Sequence, residues 1–308
     1  MAEIATRKAY GEAIVKMAET EDIVVLDADL AAATQTAMFK KAYPDRFFDC
    51  GIAESNMMGV AAGLAACGKT VFCSTFAMFA AGRAFEQVRN SIGYPHLPVN
   101  IAATHAGISV GEDGATHQCC EDIALMRTIP GMTVVNPCDG VQTRALINAV
   151  AKINGPTYTR LCRLATPDLY EEGETFEIGK AKTLRDGKDI TIIACGLMVH
   201  EAVAAADELE KQGVSVRVLD MHTIKPLDEE AVIKAAKETG KIITAEEHTV
   251  IGGLGAAVCE CLAEKQPCLV RRIGVKDTFG KSGPARKVLA LYGLTAENIV
   301  ATAKEMLD

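Results

Sequence analysis

Short runs of β-branched residues alternate with amphipathic stretches of ten residues or more along most of the chain, the pattern that parallel sheets with crossover helices produce. In the first half it predicts strands over 23–27, 46–49, 70–73, 99–103, 133–135 and 157–161. Helices are predicted over 4–19, 55–66, 79–92 and 140–152, where apolar side chains recur near three- and four-residue spacing. After Arg163 the alternation lapses in LATPDLYEEGETFEIGKAKTLRDGKD, which reads as a linker carrying a short hairpin. It resumes with strands over 190–194, 214–219, 241–245 and 269–273 and helices over 198–211, 228–239 and 254–263. The expected fold class is α/β: two doubly wound domains over 1–165 and 186–308, the first with a mainly parallel sheet and the second smaller, joined by a linker over 166–185.

Charge and composition narrow the function classes. The 32 basic against 40 acidic side chains give a net charge of −8, the wrong sign for a protein that grips a nucleic-acid backbone by displacing counterions. No run approaches the roughly 20 apolar residues that span a bilayer, so no membrane association is expected. The opening MAEIATRKAYGEAI places acidic residues where a secretory leader has its apolar run. A cytoplasmic location is the expectation. The 11 cysteines are scattered through apolar runs, not set at zinc-site spacing, and read as small buried hydrophobes; no metal site on this chain is expected.

In such sheets chemistry gathers in loops at the carboxyl ends of strands, and four segments there carry informative residues. Glu54, in FFDCGIAESNMMGVAAGLAA, follows a strand and enters a small-residue apolar helix. It is either a poorly solvated carboxyl able to donate a hydrogen bond or a first-turn residue complementing the helix dipole. The glycine-rich THAGISVGEDGATHQ holds His105, Glu112, Asp113 and His117, groups suited to converge on a small polar substrate. Phe76 and Phe79 are spaced to share a helical face, for core packing or for a planar ring. Arg7 and Arg163 stand near element ends, apt for phosphate. The IGGLG cluster is a tight turn or a weak phosphate-cradle signal, and no Walker loop, nucleophile elbow or HExxH motif is present.

Taken in order, ATRKAYGEAIVKMAE, VVLDADL, GIAESNMMGVAAGLA, STFAMFAAGRAFEQVRNSI, THAGISVGEDGATHQ and FGKSGPARKVLALYGLTAENI resemble the carboxyl-terminal half of transketolase over essentially the whole chain. The resemblance implies a thiamine diphosphate enzyme, with a pyrimidine-binding domain followed by the family's C-terminal domain. It places Glu54 where a protonated carboxyl bonds the aminopyrimidine nitrogen and so promotes formation of the reactive ylide. Phe76 and Phe79 would contact the pyrimidine, and Asp29 would lie on the cofactor side. His105, Asp113 and His117 would contact sugar hydroxyls, the two histidines assisting proton transfer, and Arg7 and Arg163 would hold the substrate phosphate.

Three departures qualify this picture. Ala33, with Thr34 beside it, replaces a phosphate-binding serine, and Gly82 replaces a tyrosine, leaving that edge of the pocket more open or filled by another chain. The family's G-D-G segment and the Asn-Asn pair that follows it, which hold the diphosphate through Mg2+ or Ca2+, have no counterpart in the sequence. The implied protein is the C-terminal subunit of a two-component transketolase. It would move a two-carbon ketol unit from a ketose phosphate to an aldose phosphate, working with an N-terminal partner subunit and two copies of each chain. The alternatives are a 1-deoxyxylulose-5-phosphate synthase-like or 2-oxo-acid dehydrogenase beta-like subunit, and a non-catalytic scaffold or regulator.

Overall fold

The computed structural model describes residues 3–308. Its first sheet has seven strands in the order Thr223–Lys225, Thr133–Val135, Thr157–Arg160, Val99–Thr104, Thr70–Phe76, Ile23–Asp27 and Phe47–Asp49. All run parallel except the first, which pairs antiparallel with Thr133–Val135. Every residue of Ile23–Asp27 and Val99–Thr104 is buried, as expected of a parallel sheet covered on both faces. The second sheet runs Leu269–Val275, Lys241–Thr249, Ile190–Ala194, Val216–Asp220 and Lys182–Arg185, with only the last antiparallel.

Helix boundaries follow local chemistry. Asp139 caps helix Gly140–Val150 by accepting the Gln142 N–H at 2.7 Å, and its other oxygen accepts from Leu169 and Tyr170. Helix Glu229–Thr239 starts at the Asp228 cap and ends on Gly240 at φ +66°.

Several elements differ from the pattern-based expectation. No hairpin forms in the segment after Arg163. Its strand Ala165–Pro167 pairs with Glu3–Ala5, and Lys182–Arg185 joins the second sheet beside Val216–Asp220. Both partners are distant in sequence, so nothing local marks the pairing. Residues 4–19 divide into strand Glu3–Ala5 and helix Thr6–Met17. Residues 79–92 are not one α-helix: π-helical turns Met78–Arg83 and Val88–Gly93 flank a short α-helical piece, Phe85–Gln87.

The two sheets are packed against one another. Strand Thr223–Lys225 follows a strand of the second sheet yet closes the edge of the first. A single hydrophobic cluster joins Val134 and Tyr158 of the first sheet to Ile193, Leu219 and Ile242 of the second. Among the described residues no helix is long and apolar enough to cross a membrane.

Candidate active site

The carboxyl ends of three strands of the first sheet, Thr70–Phe76, Val99–Thr104 and Phe47–Asp49, deliver Phe76, Phe79, His105 and Glu54, while Arg7 comes from helix Thr6–Met17 and Arg163 follows strand Thr157–Arg160. Glu54 opens helix Glu54–Ala66, where the N-terminal dipole favours an acid. Its side chain is 1% exposed, and both oxygens accept from Arg83 Nη1, at 2.9 and 2.8 Å. The carboxyl expected to be lone therefore has a cation bound to it. Arg83 comes from the π-helical turn Met78–Arg83 and also lays its guanidinium over the Phe79 ring, Cζ to centroid 4.4 Å. Phe79 in turn lies nearly parallel to Phe76, with centroids 5.9 Å apart and planes 11° apart. The pair forms an aromatic face, not simple core packing, because Phe79 is only partly buried.

His105 stacks on Phe76 with ring centroids 3.9 Å apart, its backbone in the left-handed region at φ +56°. Nδ1 lies 2.9 Å from Thr104 Oγ1, and Nε2 lies 3.3 Å from Arg7 Nη1. A guanidinium can only donate, so Nε2 is the acceptor and Nδ1 carries the proton. Burial, reinforced by Arg7, Arg163 and His117, pushes the His105 imidazole down to about 3, which keeps it neutral at cellular pH. His117 completes the group edge-on to both phenylalanines, at 6.3 and 5.5 Å.

The two arginines stand beside these histidines. Arg7 also donates to the Ala33 carbonyl at 2.7 Å, and its pKa is lowered by burial and by Arg163. Arg163 bonds the Val110 carbonyl and pairs with Glu112 at 3.3 Å. The structure thus brings together Glu54, Phe76, Phe79, His105, His117 and Arg7, with Arg163 at the margin. It leaves two other candidates apart. Asp113 is exposed on the loop, and Asp29 is exposed at φ +62° with only its N–H engaged, by Asp49. The buried acid of the DADL segment is Asp27, which accepts from the Thr34 and Thr36 hydroxyls and the Leu30 N–H.

The positions that depart from the family pattern have local contacts of their own. Thr34 is committed to Asp27 at 2.7 Å and is fully buried, so it does not replace the missing serine beside Ala33. Gly82 is exposed, and a Cβ there would stand 2.4 Å from the Met78 methyl. The glycines after residue 250 cradle no external phosphate, because Glu246 accepts the Leu254 and Gly255 N–H groups at 2.7 and 2.8 Å. Among the described residues no three His, Cys, Asp or Glu side chains are grouped to hold a metal ion. Arg83 is the residue at this site that pattern reasoning passes over. Its one sequence signal is the four-residue spacing from Phe79, which lets a cation reach a ring one turn away.

Comparison with known proteins places this geometry. Residues 2–168 match the transketolase pyrimidine-binding domain and residues 179–299 the transketolase C-terminal domain. The 6-deoxy-6-sulfo-D-fructose transketolase subunit SqwH of a Clostridium species (strain MSTE9) is 45% identical, over 98% of this chain and 94% of that protein. An apulose-4-phosphate transketolase subunit of Phocaeicola vulgatus is 44% identical, over 99% of this chain and 98% of that protein. A solved structure of a split gene transketolase, an inactive beta4 tetramer, superposes with a TM-score of 0.92 at 52% identity, covering 99% of this chain and 98% of that one. With both domain types matched and separate subunits covered over nearly their whole length, the chain belongs to the transketolase family, as a C-terminal section.

Proposed function

We propose that the chain is the C-terminal subunit of a two-component transketolase that transfers a two-carbon ketol unit from a ketose phosphate to an aldose phosphate. The observation that carries this is Arg83. A planar, nitrogen-rich donor group lies on Phe79 while bonded to the buried Glu54, and an aminopyrimidine asks for the same two contacts, a flat aromatic face and a carboxyl partner for a ring nitrogen. The residues present therefore fit the pyrimidine end of thiamine diphosphate. When bound, that cofactor supplies the carbon nucleophile and holds the transferred fragment between donor and acceptor.

The chain's own side chains then divide the remaining work. Glu54 would hold a proton toward the ring nitrogen, and Phe76 and Phe79 would fix the ring's plane. His105, neutral with Nε2 as an acceptor, can accept a hydrogen bond from a substrate hydroxyl, and His117 can contact a second hydroxyl across the aromatic edge. Arg7 and Arg163 would hold the substrate phosphate, with Asp113 at the mouth and Asp29 toward the cofactor. The diphosphate and its magnesium or calcium ion fall to an N-terminal partner subunit, two copies of each chain making the assembly in the cytoplasm.

The test combines the chain with a purified partner carrying the diphosphate-binding half, thiamine diphosphate and magnesium. Ketol transfer between sugar phosphates is expected, reduced on the order of 100-fold by Glu54→Gln. No transfer from any ketose while the partner binds normally would overturn the proposal. Carbon dioxide release from pyruvate would move the chain to the synthase or dehydrogenase alternative.

A further inference from the structure

The histidine-bearing loop is fastened from both domains. From the first domain, the Ala106 N–H bonds the Leu161 carbonyl at 3.2 Å, the Gly107 N–H bonds the Cys119 carbonyl at 2.8 Å and Arg163 bonds the Val110 carbonyl, while the rest of the segment makes short turns such as Gly111 to Ile108 and His117 to Gly114. Three contacts reach across. The Ser109 N–H donates to Glu247 Oε1 at 2.6 Å, Gln118 Nε2 donates to the Lys281 carbonyl at 2.9 Å, and Gly283 donates to the Gly111 carbonyl at 3.4 Å. The first stands out in three ways. Its acceptor is a side-chain carboxyl oxygen, it is 2% exposed, and it falls between the two histidines.

The surroundings are shaped to this contact. A Cβ at Gly107 would lie 2.3 Å from Glu247 Oε1, and Gly107 sits at φ +78°, so glycine alone lets the loop close over the carboxyl. Glu247 is itself fixed from the first sheet: its carbonyl accepts from Arg160 Nη2 at 2.8 Å, and Arg160 Nε is paired with the buried Asp122 at 2.8 Å. The chain of contacts runs from the first sheet through a strand of the second and back to the loop.

We propose that Glu247 is a positioning residue, which sets the His105 and His117 loop from the second domain through the Ser109 N–H. The kinetic part of this rests on the transketolase reading above; the structural part does not. Shortening the side chain withdraws the acceptor while keeping a carboxylate near Arg160, whereas glutamine keeps an oxygen in place to accept the N–H.

Two measurements on the full chain test the assignment. In hydrogen exchange followed by mass spectrometry, Glu247→Asp raises exchange in peptides covering 105–118 by ~10-fold, and Glu247→Gln leaves it within about threefold of wild type. With the partner subunit, cofactor and magnesium, Glu247→Asp lowers kcat/KM for the ketose donor by ~10-fold while the Kd for thiamine diphosphate stays within about twofold, and Glu247→Gln restores most of the loss. Unchanged loop exchange in Glu247→Asp overturns the assignment. So does a glutamine variant as impaired as the aspartate one, or exchange that rises along Lys241–Thr249 instead of in the loop. If the wild-type assembly shows no ketol transfer but the exchange pattern holds, the functional reading fails and the positioning role stands.

Discussion

A guanidinium that lies 4.4 Å over the Phe79 ring and is bonded to a carboxylate only 1% exposed is a cation held from two sides. Glu54 and the phenylalanines were legible in the sequence as unusual residues at a strand end, because an acid in an apolar segment and a pair of rings are visible without coordinates. Arg83 was not, since its reach to Glu54 depends on the wider π-helical turn, which has no period-based signature. The same limit explains Asp27 and Asp29: two acids two residues apart at a strand end cannot be sorted into buried and exposed by spacing alone. In the proposed enzyme Arg83 and the cofactor ring compete for Glu54 and Phe79. Arg83→Ala in the assembled protein is therefore expected to tighten thiamine diphosphate binding by ~10-fold in titration calorimetry, about 1.4 kcal/mol. Weaker binding would show that Arg83 is a ligand and not a competitor.

The start of helix Leu254–Lys265 carries a carboxyl that belongs to the protein itself. Burial holds Glu246 up to about 7, against the opposing pull of the Gly255 and Leu254 N–H groups. Unfolded, the group loses its proton near its ordinary value of 4.5. Between these values the folded chain keeps a proton that the unfolded chain has lost, so this group's contribution to stability falls as pH rises and levels off above about 7, a swing of roughly 3 kcal/mol. Glu246→Gln removes that titration. The variant's Tm relative to wild type is expected to climb by roughly 5 °C between pH 5 and pH 7.5 in scanning calorimetry. A difference that shrinks over the same range would mean that the helix N-terminus already stabilises an ionised carboxylate. At this scale the strands and helices with strong periodicity were readable. The glycine turn was visible too, but its occupant was not, because Glu246 lies on a strand extended past 245 by polar residues that look like a strand end.

Across the whole molecule the two sheets are joined by shared hydrogen bonds and by the hydrophobic cluster that spans them. Gln142 and Tyr170 reach Asp220 of the second sheet at 2.6 and 2.7 Å, and Arg160 Nη2 of the first sheet donates to the Glu247 carbonyl of the second at 2.8 Å. Scanning calorimetry of the full chain is expected to show one cooperative transition, because separating the sheets strips the Thr133–Val135 edge and takes the Glu247 carbonyl away from the Arg160 guanidinium. Two resolved transitions would show that the sheets melt independently. Two α/β units were apparent from the alternation of elements. Their interlocking was not, since Thr223–Lys225 is three residues long and its register is set by a partner nearly ninety positions earlier. This interlocking orders events in time as well as in space. The Lys281 carbonyl that fixes Gln118 is made 163 residues later, and at ~5–20 residues per second the ribosome takes roughly ten to thirty seconds to reach it. Until then a nascent chain can hold a nearly finished first sheet beside an unset histidine loop, so ligand recognition is the last property the growing polypeptide acquires.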